Sequence, residues 1–315
     1  MSREIDQPIQ LVPIFRERVW GRYSLAPWFP VIPRQTRIGE VWFTFEENST
    51  SLGVSLGELI REHPEVLGTA VVHQHPGKCP LLAKLLFTSE RLSVQVHPDD
   101  AYAEQHHRSL GKTEAWYVLG AEPPGEVAVG LRRTVDRHEF RKAAESGEIE
   151  GLLHWRKVTP GDVIYLPAGT VHAMGGGLTI FEIQENSDIT YRLYDYGRPR
   201  ELHLDHAIAV SKLDAQDVRV ATKRLAPWRD ELLACDYFRL ERLRPKESMR
   251  IAGGLSYFLL LTCVRGSGTI GRQSFATGQG WLIPARNEEI QVNAAGAEWI
   301  LAYRSHAPLE GLFSA

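Results

Sequence analysis

The chain has 315 residues, of which 43% are hydrophobic and 24% charged, with a formal net charge of −3. This length buries a substantial core in one large or two modest domains, and the composition is that of a soluble globular protein. The near-balanced charge creates no general basic field; it argues against a nucleic-acid partner and leaves any anionic ligand to a few locally placed Lys and Arg side chains.

In chain order, the first strong strand pattern is Gly39 to Phe45. A short helix follows over Ser55 to His63, then a strand over Leu92 to His97 and a helix over Asp100 to His107. Ala115 to Leu119 and Val127 to Leu131 read as strands, and Asp136 to Ser146 as a helix stopped by Gly147. Asp162 to Leu166 and Leu178 to Ile183 are again strands, with Pro and Gly turns between the segments. Leu204 to Leu213 is the last predicted helix, and Ala226-Pro227-Trp228 reads as a connector. Beyond it, Phe238 to Leu243, Leu255 to Val264, Gly268 to Ile270, Trp281 to Pro284 and Trp299 to Tyr303 are strand-like. Many short strands with Gly/Pro turns predict a mainly β protein, a sandwich or barrel with a few peripheral helices.

A short echo joins the two halves. Thr159 to Ala168 (TPGDVIYLPA) and Gly278 to Ala285 (GQGWLIPA) share a turn, a strand and a terminal Pro-Ala. The expected organisation is therefore two related barrels, residues 1–225 and 226–315. No histidine lies between His206 and His306, so the second barrel is expected to lack a histidine-based metal site. Cys79, Cys235 and Cys263 form no C-x-x-C pair and fit a reduced, cytoplasmic setting. The N-terminal residues lack an apolar stretch of signal-peptide length, and the apolar run Tyr257 to Val264 is too short to span a bilayer, so no membrane partner is expected.

The chemistry concentrates in three places. In an extended Ser93-Val94-Gln95-Val96-His97, residues two apart share a face, so Ser93, Gln95 and His97 project together while the valines pack behind them. The same rule places Lys112, Glu114 and Trp116 on one side of their strand. His172 follows the turn Pro167-Ala168-Gly169-Thr170, which can hold an imidazole at a barrel mouth. One Gln, two His and one Glu make a mixed N/O donor set with the open character of a catalytic rather than a closed structural zinc site.

These segments resemble type I phosphomannose isomerase in its short bacterial form. The resemblance rests on Pro80 to Leu86 (PLLAKLL), Leu92 to Asp99 (LSVQVHPD), Gly111 to Trp116 (GKTEAW), Leu166 to Ala173 (LPAGTVHA) and Ile180 to Arg198. The segment Pro13 to Gly21, ending Val-Trp-Gly, is similar as well. The likeness is strong over residues 8–206 and holds only in outline beyond them. It implies a double cupin, that is, two jelly-roll β-barrels, carrying one Zn2+ on Gln95, His97, Glu114 and His172. It further implies Arg192 as the active-site arginine, Lys84 and Lys112 as pocket lysines, Ser93 as a polar pocket group and Glu182 as an acidic residue of proton handling. The implied reaction interconverts mannose 6-phosphate and fructose 6-phosphate. Arg192, Lys112 and Glu182 are thus the expected catalytic groups, and Lys84, Ser93 and Arg192 the substrate contacts. A metal-containing sugar-binding cupin without activity, and an isomerase of another hexose or hexose phosphate, are the alternatives. Phe43 stands where the family commonly has Glu after Trp.

Other features read as structural. His73-x-His75 lies in an expected loop, and His106, His107, His203 and His206 fall on helix-like stretches as surface or capping residues. Gly175-Gly176-Gly177 precedes no helix and reads as a tight hairpin turn rather than a phosphate cradle.

Overall fold

The structure, a computed structural model, describes residues 5–32, 36–68, 71, 77–215, 220–294, 296–305 and 307–314. Its strands form four sheets that pair into two barrels of cupin type. In the first barrel a six-stranded sheet runs in the order Ile14–Arg22, Ile38–Trp42, Leu81–Phe87, Leu178–Glu185, Glu114–Ala121, Val163–Leu166. It faces a five-stranded sheet ordered Tyr191–Tyr194, Val94–Val96, His172–Met174, Glu126–Leu131, Leu153–Lys157. In the second barrel a seven-stranded sheet centred on Leu259–Arg265, Glu298–Tyr303 and Arg239–Leu243 faces a five-stranded one. The seven-stranded sheet recruits the chain's beginning, because Ile9–Leu11 pairs antiparallel with Gly280–Ile283.

Three of the predicted helices form within a residue of their expected bounds, for local reasons. Leu56–Glu62 begins at Ser55, whose hydroxyl accepts from the Glu58 N–H while the Glu58 carboxylate accepts from the Ser55 N–H. This reciprocal box satisfies two otherwise orphaned donors. Asp99 and Asp136 cap Asp100–His107 and Arg137–Ser146, and Gly147, at φ +82°, ends the latter. A further helix, Leu204–Val210, starts where expected but ends three residues before the predicted Leu213, because Ser211 turns to extended backbone.

Alternation within strands decides what each barrel does. The run Leu81–Phe87 is buried on both faces. Its Leu81, Ala83, Leu85 and Phe87 join Ala115, Tyr117, Phe181 and Ile183 on the outside of the first barrel, against Leu240, Leu260, Leu282 and Ile300 of the second. Two barrels packed back to back therefore share one core, and each fully buried leucine in it stabilises the fold by about 1.5–3 kcal/mol. Phe43 belongs to this shared core, pressed against Gly280, so its departure from the family pattern fills a barrel junction and not the pocket.

The interior of the second barrel is filled by Trp281, Trp299, Phe275, Tyr303 and aliphatic neighbours. The interior of the first is polar on its six-stranded face: Lys84, Glu114, Glu182 and Gln184 are all buried there. The echoed segments correspond structurally, since Gly161 and Gly278 both take positive φ two residues before the strands Val163–Leu166 and Gly280–Ile283.

One expectation is corrected. Gly175 to Gly177 do not close a hairpin, because His172–Met174 lies in the five-stranded sheet and Leu178–Glu185 in the six-stranded one. The glycines turn the corner between sheets. A Cβ on Gly175 or Gly176 would sit 2.7 Å from the carbonyl oxygen of Glu126 or Ser89, so the close backbone approach demands glycine.

Candidate metal centre and active site

Strand pairing converges the donor residues. Gln95 stands opposite both His172 and Arg192 on neighbouring strands, and Gln184 stands opposite Glu114. Val94 and Val96 point the other way into a fully buried cluster with Tyr191 and Leu193, which locks the orientation of Gln95. His97 follows directly, and its ring centroid lies 4.8 Å from that of His172.

Each imidazole is held by a main-chain carbonyl. His97 Nδ1 is 2.9 Å from the Ile189 oxygen, and His172 Nδ1 is 2.9 Å from the Thr170 oxygen. A carbonyl only accepts, so Nδ1 carries the proton in both rings and each Nε2 offers a lone pair. Those Nε2 atoms lie 3.5 Å from the two oxygens of Glu114, one on each. Gln95 adjoins the group: its amide N–H donates to His172 Nε2 at 3.2 Å, and its potential ligand atom is the amide oxygen Oε1. Among the described residues, His97, Glu114 and His172 are the one set of three His, Cys, Asp or Glu side chains close enough to share an ion. His73 and His75 lie outside the described residues.

The donor set fits a metal on its own evidence. Glu114 is 1% exposed, yet neither carboxylate oxygen accepts a hydrogen bond. The Lys112 ammonium, 3.2 Å away, supplies charge but not that geometry. Leaving two carboxylate oxygens buried and unbonded is costly unless a cation takes them. Burial drives both imidazoles toward the neutral, ligating form: His172 is lowered to about 4, and His97 well below its usual value with the nearby Lys112 adding to the effect.

Next to this group, which it meets through Gln95 and Lys112, lies a cavity of about 540 Å³ lined by Trp20, Glu40, Lys84, Ser93, Gln95, Lys112, Trp116, Glu182, Asp188, Arg192 and His203, among others. All the sequence-predicted pocket residues reach it. Their partners differ from simple expectation. Lys84 is 3% exposed and does not extend to water: its Nζ lies 2.6 Å from Gln184 Oε1, 3.2 Å from Glu182 and over the Trp42 ring. Glu182, opposite Lys84 in the register, also accepts from the Trp116 indole N–H at 2.8 Å. Burial raises its pKa, with Glu114 adding and the two lysines only partly opposing. Lys112 is also buried; burial opposes its charge, but Glu114 and Glu182 outweigh that and raise its pKa. Ser93 donates to Gln95 Oε1 at 3.2 Å.

Arg192 does not pair with Asp195, which instead holds Arg198 and Arg200. Its Nη1 donates to the Glu201 carbonyl at 2.7 Å, and its Nε is buried without a partner. Arg18, Glu40 and His203 enter the site unforeseen. Arg18 and Glu40 form a two-point ion pair at the mouth, and Glu40 also accepts from the Trp42 indole. Glu40 sits one residue from Val41 on a predicted strand, so alternation signals its inward side; nothing local to His203 signals that it lines a cavity.

Comparison with known proteins agrees with this geometry. Residues 9–133 match the family described as phosphomannose isomerase type I, catalytic domain. The chain is 42% identical over 219 residues to mannose-6-phosphate isomerase ManA of Bacillus subtilis, covering 65% of this chain and 68% of that protein. It is 38% identical over 219 residues to mannose-6-phosphate isomerase of Streptococcus mutans, covering 65% and 67%. A crystal structure of the mannose 6-phosphate isomerase from Bacillus subtilis superposes with a TM-score of 0.84 at 30% identity, covering 94% of this chain and 99% of that one. The fold is also that of a zinc-bound mannose 6-phosphate isomerase, with a TM-score of 0.78 at 16% identity over 95% and 100% of the two chains. With a buried His–Glu–His group adjoining a cavity rich in charged side chains, and curated relatives matched over two thirds of their length, the chain belongs to the type I phosphomannose isomerase family.

Proposed function

We propose that this protein is a zinc-dependent aldose–ketose isomerase that interconverts mannose 6-phosphate and fructose 6-phosphate through a cis-enediol. The observation that carries the reading is the buried Glu114 carboxylate, without a hydrogen bond, facing two neutral imidazoles beside a cavity bearing Lys112, Glu182 and Arg192. Gln95, His97, Glu114 and His172 would hold the ion, which when bound would supply Lewis-acid polarisation to the sugar oxygens.

The remaining groups divide the work by charge. The reaction removes the proton from C2 of the aldose and returns it to C1, while negative charge passes to the two adjacent oxygens. Glu182 is the group for the carbon-bound proton: a buried carboxylate with a raised pKa is a stronger base than an exposed one, and the Trp116 N–H fixes its direction. Lys112, kept charged by two carboxylates, donates to the oxygen on which charge develops. Lys84 fixes Glu182 from the opposite side and limits how far its pKa climbs. Ser93 orients the Gln95 amide, and Arg192 faces the anionic part of the substrate with a rigid planar fork. We read the protein as cytoplasmic; its three cysteines are free, and no described helix is long and apolar enough to cross a membrane.

A coupled assay on mannose 6-phosphate, before and after chelation and again after zinc is restored, tests the assignment. Turnover lost on chelation and recovered with zinc is expected. A zinc-loaded protein inert toward mannose 6-phosphate would sink the isomerase reading, and activity only on another sugar in a panel of hexoses and hexose phosphates would reassign the substrate.

A further inference from the structure

The cavity mouth carries three arginines, but two of them are already engaged. Arg18 spends two N–H groups on Glu40, at 3.0 and 3.1 Å. Arg200 holds Asp195 through two more, at 2.6 and 2.7 Å. Arg192 has no direct carboxylate partner among the described residues, and its Nε is buried without an acceptor. A charge left open in this way fits the phosphate of a sugar phosphate.

Eleven residues further on, His203 closes against the same arginine. Its main-chain N–H donates to the Arg192 carbonyl at 2.8 Å, and the Arg192 main-chain N–H donates back to the His203 ring nitrogen Nδ1 at 3.2 Å. This second bond settles the tautomer. A ring nitrogen that accepts from an N–H carries no proton, so the ring proton resides on Nε2. His203 lines the cavity, and its Nε2–H makes no hydrogen bond: the carboxylate beside it, Glu201, is 3.9 Å away with a side chain 83% exposed.

We propose that His203 is a substrate-binding residue whose Nε2–H donates to the substrate phosphate beside the Arg192 guanidinium, in a tautomer fixed by the Arg192 main chain. Burial, with the Arg192 charge adding, lowers the His203 pKa, so the ring serves as a neutral donor and places no second positive charge against Arg192. A neutral N–H next to a guanidinium lets one phosphate satisfy both without the like-charge repulsion of two cations. The inference rests on the sugar-phosphate reading above and deepens it by placing the phosphate at the Arg192–His203 end of the cavity.

Two substitutions separate binding from scaffolding. In His203→Asn the side-chain oxygen can still accept from the Arg192 N–H, but the donor into the cavity is lost. In His203→Gln the amide nitrogen reaches the Nε2 position and restores that donor. Zinc-loaded proteins are compared by titration calorimetry with inorganic phosphate and by steady-state kinetics on mannose 6-phosphate. His203→Asn is expected to weaken phosphate binding and raise KM by about tenfold or more, the size of one hydrogen bond to a charged group, with kcat within about threefold. His203→Gln is expected to stay within about threefold of wild type in both constants. Unchanged phosphate affinity in His203→Asn overturns the proposal; so does an equal loss of kcat in both variants with KM unmoved, which would make His203 a brace for Arg192 alone. The phosphate titration needs no turnover. His203-dependent phosphate binding by a protein inert toward mannose 6-phosphate would therefore count against the isomerase reading and not against this one.

Discussion

Replacing Trp116 with Phe tests the acid–base assignment most directly. The indole N–H donates to Glu182 Oε2 at 2.8 Å, and both side chains are at most 4% exposed. Hydrogen bonds to charged groups contribute about 1.5–3 kcal/mol, and one pKa unit corresponds to about 1.4 kcal/mol. The lost bond favours the ionised carboxylate over the neutral acid, so Trp116→Phe raises a Glu182 pKa already elevated by burial, by at most roughly 1–2 units. If ionised Glu182 takes the carbon-bound proton, the acid limb of the kcat/KM profile moves to higher pH by that amount. Below the limb the rate falls roughly 10–100-fold, and well above it the loss is small. A coupled assay across pH 5 to 9 reads the shift directly, with zinc content and a thermal melt confirming an intact site. An unmoved acid limb, or one displaced to lower pH, would show that Glu182 is not the base.

Four further outcomes follow from particular contacts. His97→Ala removes a ligand and the imidazole facing Glu114, and is expected to lose both zinc, by metal analysis, and turnover. Arg192→Ala keeps all four metal donors and is expected to bind zinc normally while losing turnover at least a hundredfold; near wild-type rates would refute its assigned role. A Cβ on Gly280 would lie 2.6 Å from a Phe43 ring carbon at the barrel junction, so Gly280→Ala is expected to lower stability in urea by about 1–3 kcal/mol. Wild-type stability would mean that the two barrels part easily there. His172, lowered from 6.5 to about 4, is neutral in the folded apo protein and takes its proton more readily when unfolded. Its contribution is complete above pH 6.5 and is lost as pH falls from there toward 4, by roughly 3 kcal/mol. Urea denaturation of chelated wild type and His172→Gln between pH 7 and 4.5 should show a steeper decline for wild type. Parallel declines would place the acid sensitivity elsewhere.

Much of this protein is written locally. The two-residue period of a strand was enough to set Ser93, Gln95 and His97 on one face and their valines on the other, because an extended backbone leaves a side chain no third choice. Gly147 marked a helix end, and Ser55, Asp99 and Asp136 prove to cap three helix starts, for an equally short-range reason, the need to satisfy exposed N–H and C=O groups within one turn. Only the folded chain could decide who stands opposite whom. Lys84 reads in sequence as a lysine in an apolar run, free to reach for phosphate; the ladder sets it against Glu182, 98 positions away, and its charge is taken up there. The triple glycine reads as a hairpin until strand order shows it passing between sheets. His203 looks like an ordinary helix-start histidine, and it becomes a cavity wall because its strandless approach is tied to Arg192 through two hydrogen bonds. Side-chain direction is a property of neighbours one or two residues away, whereas register, sheet membership and the partner of a buried charge are set by the closure of the whole barrel.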